Sequence, residues 1–116
     1  MEEWKVITEF PNYEISSYGR IKNKDGMILK PYVNHKGYLK IGLTKDKKCH
    51  KKRVHRLVAE AFIENPYNYP QVNHKDENKQ NNCVYNLEWC TNQQNQNYSK
   101  YARALRKKKY EQLTLF

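Results

Sequence analysis

The sequence predicts an α+β fold, in which small antiparallel sheets pack around one helix. Several short segments alternate apolar and polar residues, which is typical of half-buried strands. Residues 54–63 instead carry apolar side chains at i, i+3, i+4, i+7 and i+8, the stripe of an amphipathic helix. A length of 116 residues fits one domain, or two small modules that share a core.

Short strands dominate the first part of the chain, and the pattern predicts them at residues 4–7, 13–16 and 19–23. Asp25-Gly26 predicts a two-residue type I′ turn that joins residues 20–24 to residues 27–30. Residues 38–43 alternate, with Leu39, Ile41 and Leu43 on one face. After a turn at residues 45–48, residues 49–54 are predicted to return beside them.

In the second part of the chain the spacing of the apolar residues changes from the period of a strand to that of a helix. The helix over residues 54–63 is predicted to be the core element against which the sheets pack, and Asn65-Pro66 ends it. Two short strands are predicted at residues 71–74 and 87–90, with a polar loop between them. Thr91, with Gln94 three residues later, forms a capping-box pattern. A second helix is therefore predicted from residue 92 to about residue 109.

The charge balance indicates a strongly negative partner. Lys and Arg number 22 against 12 Asp and Glu, which gives a formal net charge of +10. Phosphates attract such a surface because their neutralisation releases counterions. A basic surface that serves only solubility is the alternative. Leu, Ile, Val and Phe make up about a fifth of the chain, but ten Tyr and two Trp add buried area, so a small folded core is expected.

The chain contains three cysteines, Cys49, Cys83 and Cys90, and no CxxC pair. Their odd number, with no apparent signal peptide or membrane-length apolar run, predicts reduced thiols in a cytoplasmic protein. A structural zinc site built from Cys83, Cys90 and a nearby histidine is disfavoured, because the gap between the cysteines is not a usual zinc-ligand spacing.

Five basic residues on the predicted strands are candidates for contacts to a phosphate backbone: Arg20, Lys22, Lys40, Lys51 and Arg53. A solvated sheet face would show the same pattern, and for any single lysine the two interpretations have equal weight. His55 lies off the apolar stripe of the helix. A packing or surface role is predicted for it rather than a catalytic one.

Residues 71–95 hold a group of side chains suited to phosphodiester hydrolysis, namely His74 with Asn73, Asn86 and Asn95 around it. A histidine with a pKa near ~6.5 can take a proton from water at neutral pH. A divalent ion bound by oxygen ligands would stabilise the charge that develops on the phosphate. Such an ion keeps several waters and needs only one or two protein ligands. The stretch therefore favours a one-metal nuclease site.

These residues also carry a family resemblance. The runs VHRLVAEAFIENP and PQVNHKDENKQNNCVYNLEWCTNQQN resemble the HNH homing endonucleases of phages and mobile introns, in the ββα-metal group. Residues 4–23, WKVITEFPNYEISSYGRIKN, resemble the small DNA-binding module that often precedes HNH in those proteins. Together the resemblances cover roughly residues 4–98. This ordered set is specific, whereas a lone His-Asn pair would not be.

The resemblance implies a role for each site residue. His74 matches the general base, Asn86 the asparagine that braces the loop, and Asn95 a metal ligand. Asn73 stands where many members have Asp as the other ligand, and a neutral amide binds Mg²⁺ more weakly than a carboxylate does. Either the metal affinity is lower, or Asp76 supplies the charge, or activity is reduced. Mg²⁺ is the expected ion, with Mn²⁺ as the alternative. The alternative for the asparagines is that they only cap loops.

We therefore expect residues 1–44 to be a DNA-binding module, residues 45–110 the nuclease domain and residues 111–116 a separate tail. The predicted function is a metal-dependent endonuclease on double-stranded DNA, of phage or mobile-element origin, acting in the bacterial cytoplasm. One metal and one base cut one strand, so a monomer would nick and a dimer could break both strands. The rival hypothesis is a DNA-binding or clamp-binding protein whose nuclease site is weak or inactive.

The tail QLTLF resembles the pentapeptide that binds bacterial sliding clamps. The residues expected to bind are Gln112, Leu113, Leu115 and Phe116. An apolar tail after a basic helix suggests a receiving surface. The alternatives are that it packs on the core of this protein or forms a dimer contact.

Overall fold

The computed structural model describes residues 1–91, which form nine strands, one α-helix and one 3₁₀ helix. The strands make three separate antiparallel sheets, and the helix packs on all three of them. The predicted α+β class is confirmed. No helix in this part of the chain is long and apolar enough to cross a membrane.

The first sheet has four strands in sequential order: β1 (Trp4–Ile7), β2 (Phe10–Ser16), β3 (Ile21–Asn23) and β4 (Ile28–Leu29). The side chains that these strands bury are Ile7, Phe10, Ile15 and Ile21. Strand β2 begins earlier than predicted. It takes in Pro11, next to a register shift at the β1 end of the pairing. Proline is tolerated there because the ladder is already interrupted.

The hairpin predicted around Asp25-Gly26 forms, but its predicted turn type is wrong. A type I′ turn needs positive φ at both central residues, and of this pair only Gly26 has it, at 84°. The Asn23 side chain makes the turn instead, because its Oδ1 accepts hydrogen bonds from the backbone amides of Asp25 and Met27, each at 3.0 Å. An asparagine side chain that mimics a turn in this way removes the need for a second positive φ.

The second sheet consists of β5 (Tyr32–Val33), β6 (Leu39–Lys45) and β7 (Lys48–Arg53), with β6 in the middle. The β6–β7 hairpin closes through Asp46 and Lys47, whose φ angles are 53° and 64°. These are the two positive values of a type I′ turn. The hairpin runs across the predicted division at residues 44 and 45, so it joins the two parts in space. The division itself stays a prediction.

Helix α1 (Val54–Phe62) follows β7 without a loop, as the change of period predicts. Val54, Leu57, Val58 and Ala59 are buried along one side of the helix. The helix contacts β1 and β2 of the first sheet, β6 and β7 of the second, and both strands of the third. Its predicted role as the common core element is confirmed.

The third sheet is a hairpin of two short strands, β8 (Gln71–His74) and β9 (Leu87–Cys90), with the predicted bounds. Asn73 lies opposite Glu88, and His74 lies opposite Leu87. A 3₁₀ helix (Val84–Asn86) leads into β9 and was not predicted. The N-terminal module supports this connection, because the Val84 amide donates to the Ser17 carbonyl at 2.8 Å.

Candidate active site

His74 ends strand β8 and is 5% exposed. Its Nε2 atom lies 2.8 Å from the side-chain oxygen of Asn82, in the loop between β8 and β9. An amide oxygen can only accept a hydrogen bond, so Nε2 carries the proton when the ring is neutral. The lone pair then lies on Nδ1, which is the atom able to take a proton.

Burial keeps the His74 ring neutral. It lowers the pKa of His74 below the ordinary histidine value, and nearby Lys79 acts in the same direction. The hydrogen bond to Asn82 and the charge of Asp76 oppose this shift without cancelling it. A histidine with a lowered pKa is unprotonated at neutral pH, which is the state that a general base requires.

Two aromatic rings, those of Tyr38 and His55, pack against His74, and we call Tyr38, His55 and His74 the ring column. The His55 centroid lies 5.0 Å from that of Tyr38 and 4.9 Å from that of His74. Burial lowers the pKa of His55 to about 3, and the nearby His74, Arg53 and Arg56 add to the shift. His55 is therefore neutral and packs on its neighbours, in keeping with the packing role predicted for it.

Two cations lie over the Tyr38 ring at the end of the ring column. The Arg53 guanidinium carbon is 5.8 Å from the ring centroid, and the Lys79 ammonium is 4.8 Å from it. The Tyr38 ring stabilises both cations, and Lys79 is close enough to His74 to lower its pKa. Positive charge is thereby held beside the candidate base.

Asn86 is buried at the end of the 3₁₀ helix, directly before β9, and binds the loop that follows His74. Its side-chain oxygen accepts from the Asp76 amide at 3.1 Å. Its side-chain nitrogen donates to Asp76 Oδ1 and to the Asn81 carbonyl, both at 2.9 Å. The Asn86 carbonyl accepts from the Lys75 amide at 2.8 Å. Four hydrogen bonds from one residue thus fix the backbone directly after His74.

Asp76 is occupied by this loop. Its Oδ1 accepts from Asn86 and from the Asn78 amide, and its Oδ2 accepts from Asn81 Nδ2 at 2.8 Å. Burial alone would raise the pKa of Asp76, but these hydrogen bonds outweigh it and the net shift is downward. The carboxylate is ionised and braces the loop, so it is a poor source of charge for a metal.

Asn73 is 4% exposed and leaves the opposite face of β8 from His74. Its amide nitrogen donates to Glu88 Oε1 at 3.0 Å, which turns the amide oxygen away from Glu88. The Asn73 amide oxygen is a hard donor, which suits Mg²⁺ or Mn²⁺, and the Glu88 carboxylate lies behind it on the nitrogen side of the amide.

The described residues contain no group of three or more His, Cys, Asp or Glu that could hold a metal. An ion that takes one or two protein oxygens and completes its shell with water and phosphate does not need such a group. The residues present therefore fit a divalent ion of this kind. Asn95, the other predicted ligand, lies outside the described residues, as does the tail with Gln112, Leu113, Leu115 and Phe116.

Three of the five basic candidates line one cleft of about 660 Å³ between β1, β7 and α1, and these are Lys40, Lys51 and Arg53. Lys40 pairs with Arg53, and Gly42 with Lys51, so the three basic side chains leave one face of the second sheet. Lys52 and Arg56 also line the cleft. This concentration of positive charge suits a phosphate backbone.

Arg20 and Lys22 lie elsewhere, on the first sheet, and both are already paired with carboxylates. Arg20 forms a two-point hydrogen-bonded ion pair with Glu2, and Lys22 lies 3.5 Å from Glu14. The Lys22 ammonium is also 4.2 Å from the centre of the Trp4 ring. These two residues are therefore less available to phosphates than the three in the cleft.

The three cysteines form no disulfide: Cys49 is exposed, Cys83 is half-buried and Cys90 is buried. Cys83 Sγ is 3.8 Å from the Tyr18 carbonyl. Burial raises the pKa of the Cys90 thiol. Cys90 is thus a protonated core residue at neutral pH.

Asn82, Glu88 and Lys79 are site residues that sequence reasoning missed. Glu88 could have been found, because two strands of four residues with the predicted bounds pair Glu88 with Asn73 once the hairpin is closed. Asn82 sits among several loop asparagines, and nothing in the pattern singles it out. Its contact with His74 exists only in the folded loop.

The hairpin with a buried histidine at the end of its first strand, and a braced polar loop between the strands, has the arrangement of the ββα-metal nuclease scaffold. Two family models match the chain, the NUMOD4 motif over residues 2–44 and the HNH endonuclease model over residues 52–97. Together they account for both the N-terminal module and the hairpin site.

Proteins of similar sequence agree with these two family matches. The chain is 42% identical over 91 residues to the DNA endonuclease I-HmuI of Bacillus phage SP01, covering 77% of this chain and 52% of the relative. It is 34% identical over 96 residues to the H-N-H endonuclease F-TflII of Escherichia phage T5, covering 80% and 50%. It is 48% identical over 85 residues to the HNH endonuclease L245 of Acanthamoeba polyphaga mimivirus, covering 72% and 26%.

A solved structure matches as well. The structure titled "DNA binding and cleavage by the HNH homing endonuclease I-HmuI" aligns with a TM-score of 0.78 and 38% identity, covering 88% of this chain and 59% of that one. Over residues 52–97 the chain belongs to the HNH endonuclease family. It spans about half the length of the phage relatives and about a quarter of the mimivirus relative.

Proposed function

We propose that this protein is a metal-dependent DNA endonuclease of the homing type that nicks one strand. The observation that carries the proposal is the contact between His74 Nε2 and the Asn82 side-chain oxygen, at 2.8 Å. It leaves Nδ1 of a neutral, buried imidazole as the proton acceptor. We place the scissile phosphate at the end of β8, where the His74 and Asn73 side chains diverge.

In this mechanism His74 takes a proton from the attacking water, a step worth roughly 10²–10⁴ in rate for a well-placed general base. Asn86 and Asp76 keep the loop after His74 in one conformation, so the ring does not have to be ordered during the reaction. Arg53 and Lys79, held over Tyr38, place positive charge near the phosphate. Positive charge aimed at the phosphate stabilises the charge that develops in the transition state.

Asn73 and Asn95 would hold the divalent ion, with Mg²⁺ as the proposed ion and Mn²⁺ as the alternative. When bound, the ion would polarise the phosphate and stabilise the leaving oxygen. The Asn73 side chain has a fixed orientation for this role, because its nitrogen is bonded to Glu88. The role of Asn95 as a metal ligand is proposed from the sequence alone.

The proposed substrate is double-stranded DNA, bound along the cleft that Lys40, Lys51 and Arg53 line. The net charge of +10 supports this choice, since release of counterions from DNA favours association with a cationic surface. The I-HmuI structure concerns DNA binding and cleavage by that enzyme, and the similarity to I-HmuI supports the same substrate class here.

We propose single-strand cleavage because one base and one metal act on one phosphodiester bond. A break of both strands would need a second copy or a second event. The similarity to endonucleases of phages SP01 and T5 supports an origin in a phage or mobile element, acting in the bacterial cytoplasm.

From the sequence alone we also propose that residues Gln112, Leu113, Leu115 and Phe116 bind a bacterial sliding clamp. A labelled peptide of residues 107–116 should show saturable clamp binding in fluorescence polarisation. Binding that is absent, or unchanged by the double substitution Leu115→Ala and Phe116→Ala, would rule the clamp out.

The function is tested by incubating supercoiled plasmid with the full chain in Mg²⁺, in Mn²⁺ and in EDTA. The expected product is the nicked circle, formed with either ion and not in EDTA. Cleavage in EDTA would contradict the metal requirement. No cleavage with either ion would favour the rival hypothesis of a DNA-binding protein with an inactive site.

A further inference from the structure

Glu88 is a carboxylate that the proposed mechanism does not use, although it touches a proposed ligand. It lies directly opposite Asn73 in the β8–β9 pair, so the two side chains share one face of the hairpin. Glu88 Oε1 accepts from Asn73 Nδ2 at 3.0 Å. Glu88 takes no part in the Arg20–Glu2, Lys22–Glu14 and Lys52–Glu9 ion pairs.

The hydrogen bond has two consequences for the Asn73 amide. It fixes which way the amide faces, because the nitrogen must point at the carboxylate and the oxygen away from it. It also draws electron density toward the amide oxygen, since a hydrogen bond to a charged acceptor polarises the donor group. Both effects make Asn73 Oδ1 a better ligand for a cation than an isolated amide would be.

We propose that Asn73 and Glu88 act as one amide–carboxylate pair at the metal site. In this pair Asn73 Oδ1 binds the divalent ion, and Glu88 is a positioning residue that orients the Asn73 amide. The pair supplies the negative charge that a single aspartate at position 73 would supply. Asp76 is less suited to this task, because its two oxygens accept three hydrogen bonds within the loop. This inference rests on the proposed function, since it concerns the metal of that same site.

The test measures metal binding without DNA and without turnover. Mn²⁺ is titrated into the full chain, and the loss of the free-ion signal in electron paramagnetic resonance gives the dissociation constant. Glu88→Gln keeps an acceptor for Asn73 Nδ2 and removes only the charge. We expect it to bind Mn²⁺ about 10–100-fold more weakly, the usual effect of losing a partner behind a metal ligand. Its melting temperature without metal should stay that of the wild type.

Two further variants sharpen the result. Glu60→Gln removes one carboxylate from the exposed side of α1, outside the site, and should bind Mn²⁺ as the wild type does. The double variant Asn73→Asp with Glu88→Gln moves the charge from one partner to the other and should recover affinity. A purely structural Glu88 would give no loss in Glu88→Gln, because that variant keeps the hydrogen bond.

The outcomes separate the two proposals. Tight binding by the wild type with an equal affinity for Glu88→Gln would overturn the pair and leave the nuclease function standing. No Mn²⁺ binding by the wild type would overturn both the pair and the proposed metal site. Failure of the double variant to recover affinity would also contradict the exchange of charge between the two positions.

Discussion

The side-chain oxygen of Asn82 lies 2.8 Å from Nε2 of His74, eight residues back along the chain. The contact links the proposed base to the loop that follows it. It also determines which ring nitrogen holds the proton, because the Asn82 oxygen can only accept. The tautomer of His74 is therefore set by a residue that need not touch DNA or metal.

Replacing Asn82 should impair catalysis by releasing the His74 ring. We expect Asn82→Leu to lower the nicking rate about 10–100-fold, a part of the 10²–10⁴ that a complete general base contributes. Asn82→Asp is the matched variant, because a carboxylate also accepts from Nε2 and should keep most of the activity. The measurement is the rate of plasmid nicking at saturating Mg²⁺. Equal losses in the two variants would contradict the orienting role.

Gly19 lies where the N-terminal module meets this loop. Its φ is +86°, and a Cβ added there would lie 3.0 Å from Asn82 Cβ and 3.1 Å from the Asn82 carbonyl oxygen. Gly19→Ala should lose about 1–3 kcal/mol of stability from the left-handed backbone alone. It should also lower the nicking rate by more than the loss of stability explains, because the new methyl group displaces Asn82.

Gly26→Ala is the control for the Gly19 substitution. Gly26 has a φ of +84° and nothing within 4 Å of the added Cβ, so only the backbone cost applies. Urea unfolding and the nicking rate are measured for both variants. The account requires a loss of stability in Gly19→Ala at least as large as that in Gly26→Ala, and a loss of activity confined to Gly19→Ala. A fully active Gly19→Ala protein would show that the module does not hold Asn82 in place.

Acid should destabilise the fold through His55. The pKa of its side chain is near 6.5 in an unfolded chain and is lowered to about 3 in the fold, chiefly by burial. Between these values the unfolded chain binds more protons, so stability present above pH 6.5 is lost as the pH falls toward 3. The loss should reach about 2 kcal/mol by pH 5 from this group. Urea midpoints at several pH values measure it.

His55→Phe keeps an aromatic ring in the column and cannot titrate. Its stability should change less between pH 7 and pH 5 than that of the wild type. His74 also has a lowered pKa and contributes in the same direction, so a smaller slope should remain. A pH dependence identical to that of the wild type would show that His55 is not the group that titrates.

Substitutions in the basic cleft should weaken DNA binding more than substitutions on the first sheet. Lys51→Ala and Arg53→Ala should each lower affinity for duplex DNA and reduce the slope of log K against log salt by about 0.9. Lys22→Ala should have a smaller effect, because Lys22 is already 3.5 Å from Glu14. Fluorescence anisotropy of a labelled duplex at several salt concentrations gives both quantities. An equal effect of all three would mean that the cleft is not the binding surface.

Much of the fold follows from the sequence because its signals are local. The stripe over α1 and the four-residue patterns of β8 and β9 depend on side-chain period alone, and the structure has them at the predicted places. The type I′ turn was assigned to Asp25-Gly26, whereas that geometry occurs at Asp46 and Lys47. There the β6–β7 pairing places Lys45 opposite Lys48 and leaves two residues for the turn, so both take positive φ although Lys47 does not favour it.

The site was predictable only in part, because the hydrogen bonds that orient its residues come from positions distant in the sequence. His74 and Asn73 are indicated by chemistry and family pattern. The partners that orient them, Asn82 and Glu88, are eight and 15 residues away from those they bind. Which of several loop asparagines meets the histidine depends on how Asn86 and Asp76 fold the loop. No pattern of single residues specifies that arrangement.

The central claim is that His74 is the base, and one measurement tests it most directly. Nicking of supercoiled plasmid is timed for the wild type, His74→Ala and His35→Ala at equal protein and Mg²⁺ concentrations. His35 is an exposed histidine outside the site, so its variant controls for loss of an imidazole as such. We predict a 10²–10⁴-fold lower rate for His74→Ala and an unchanged rate for His35→Ala. Equal rates for the wild type and His74→Ala would contradict the assignment.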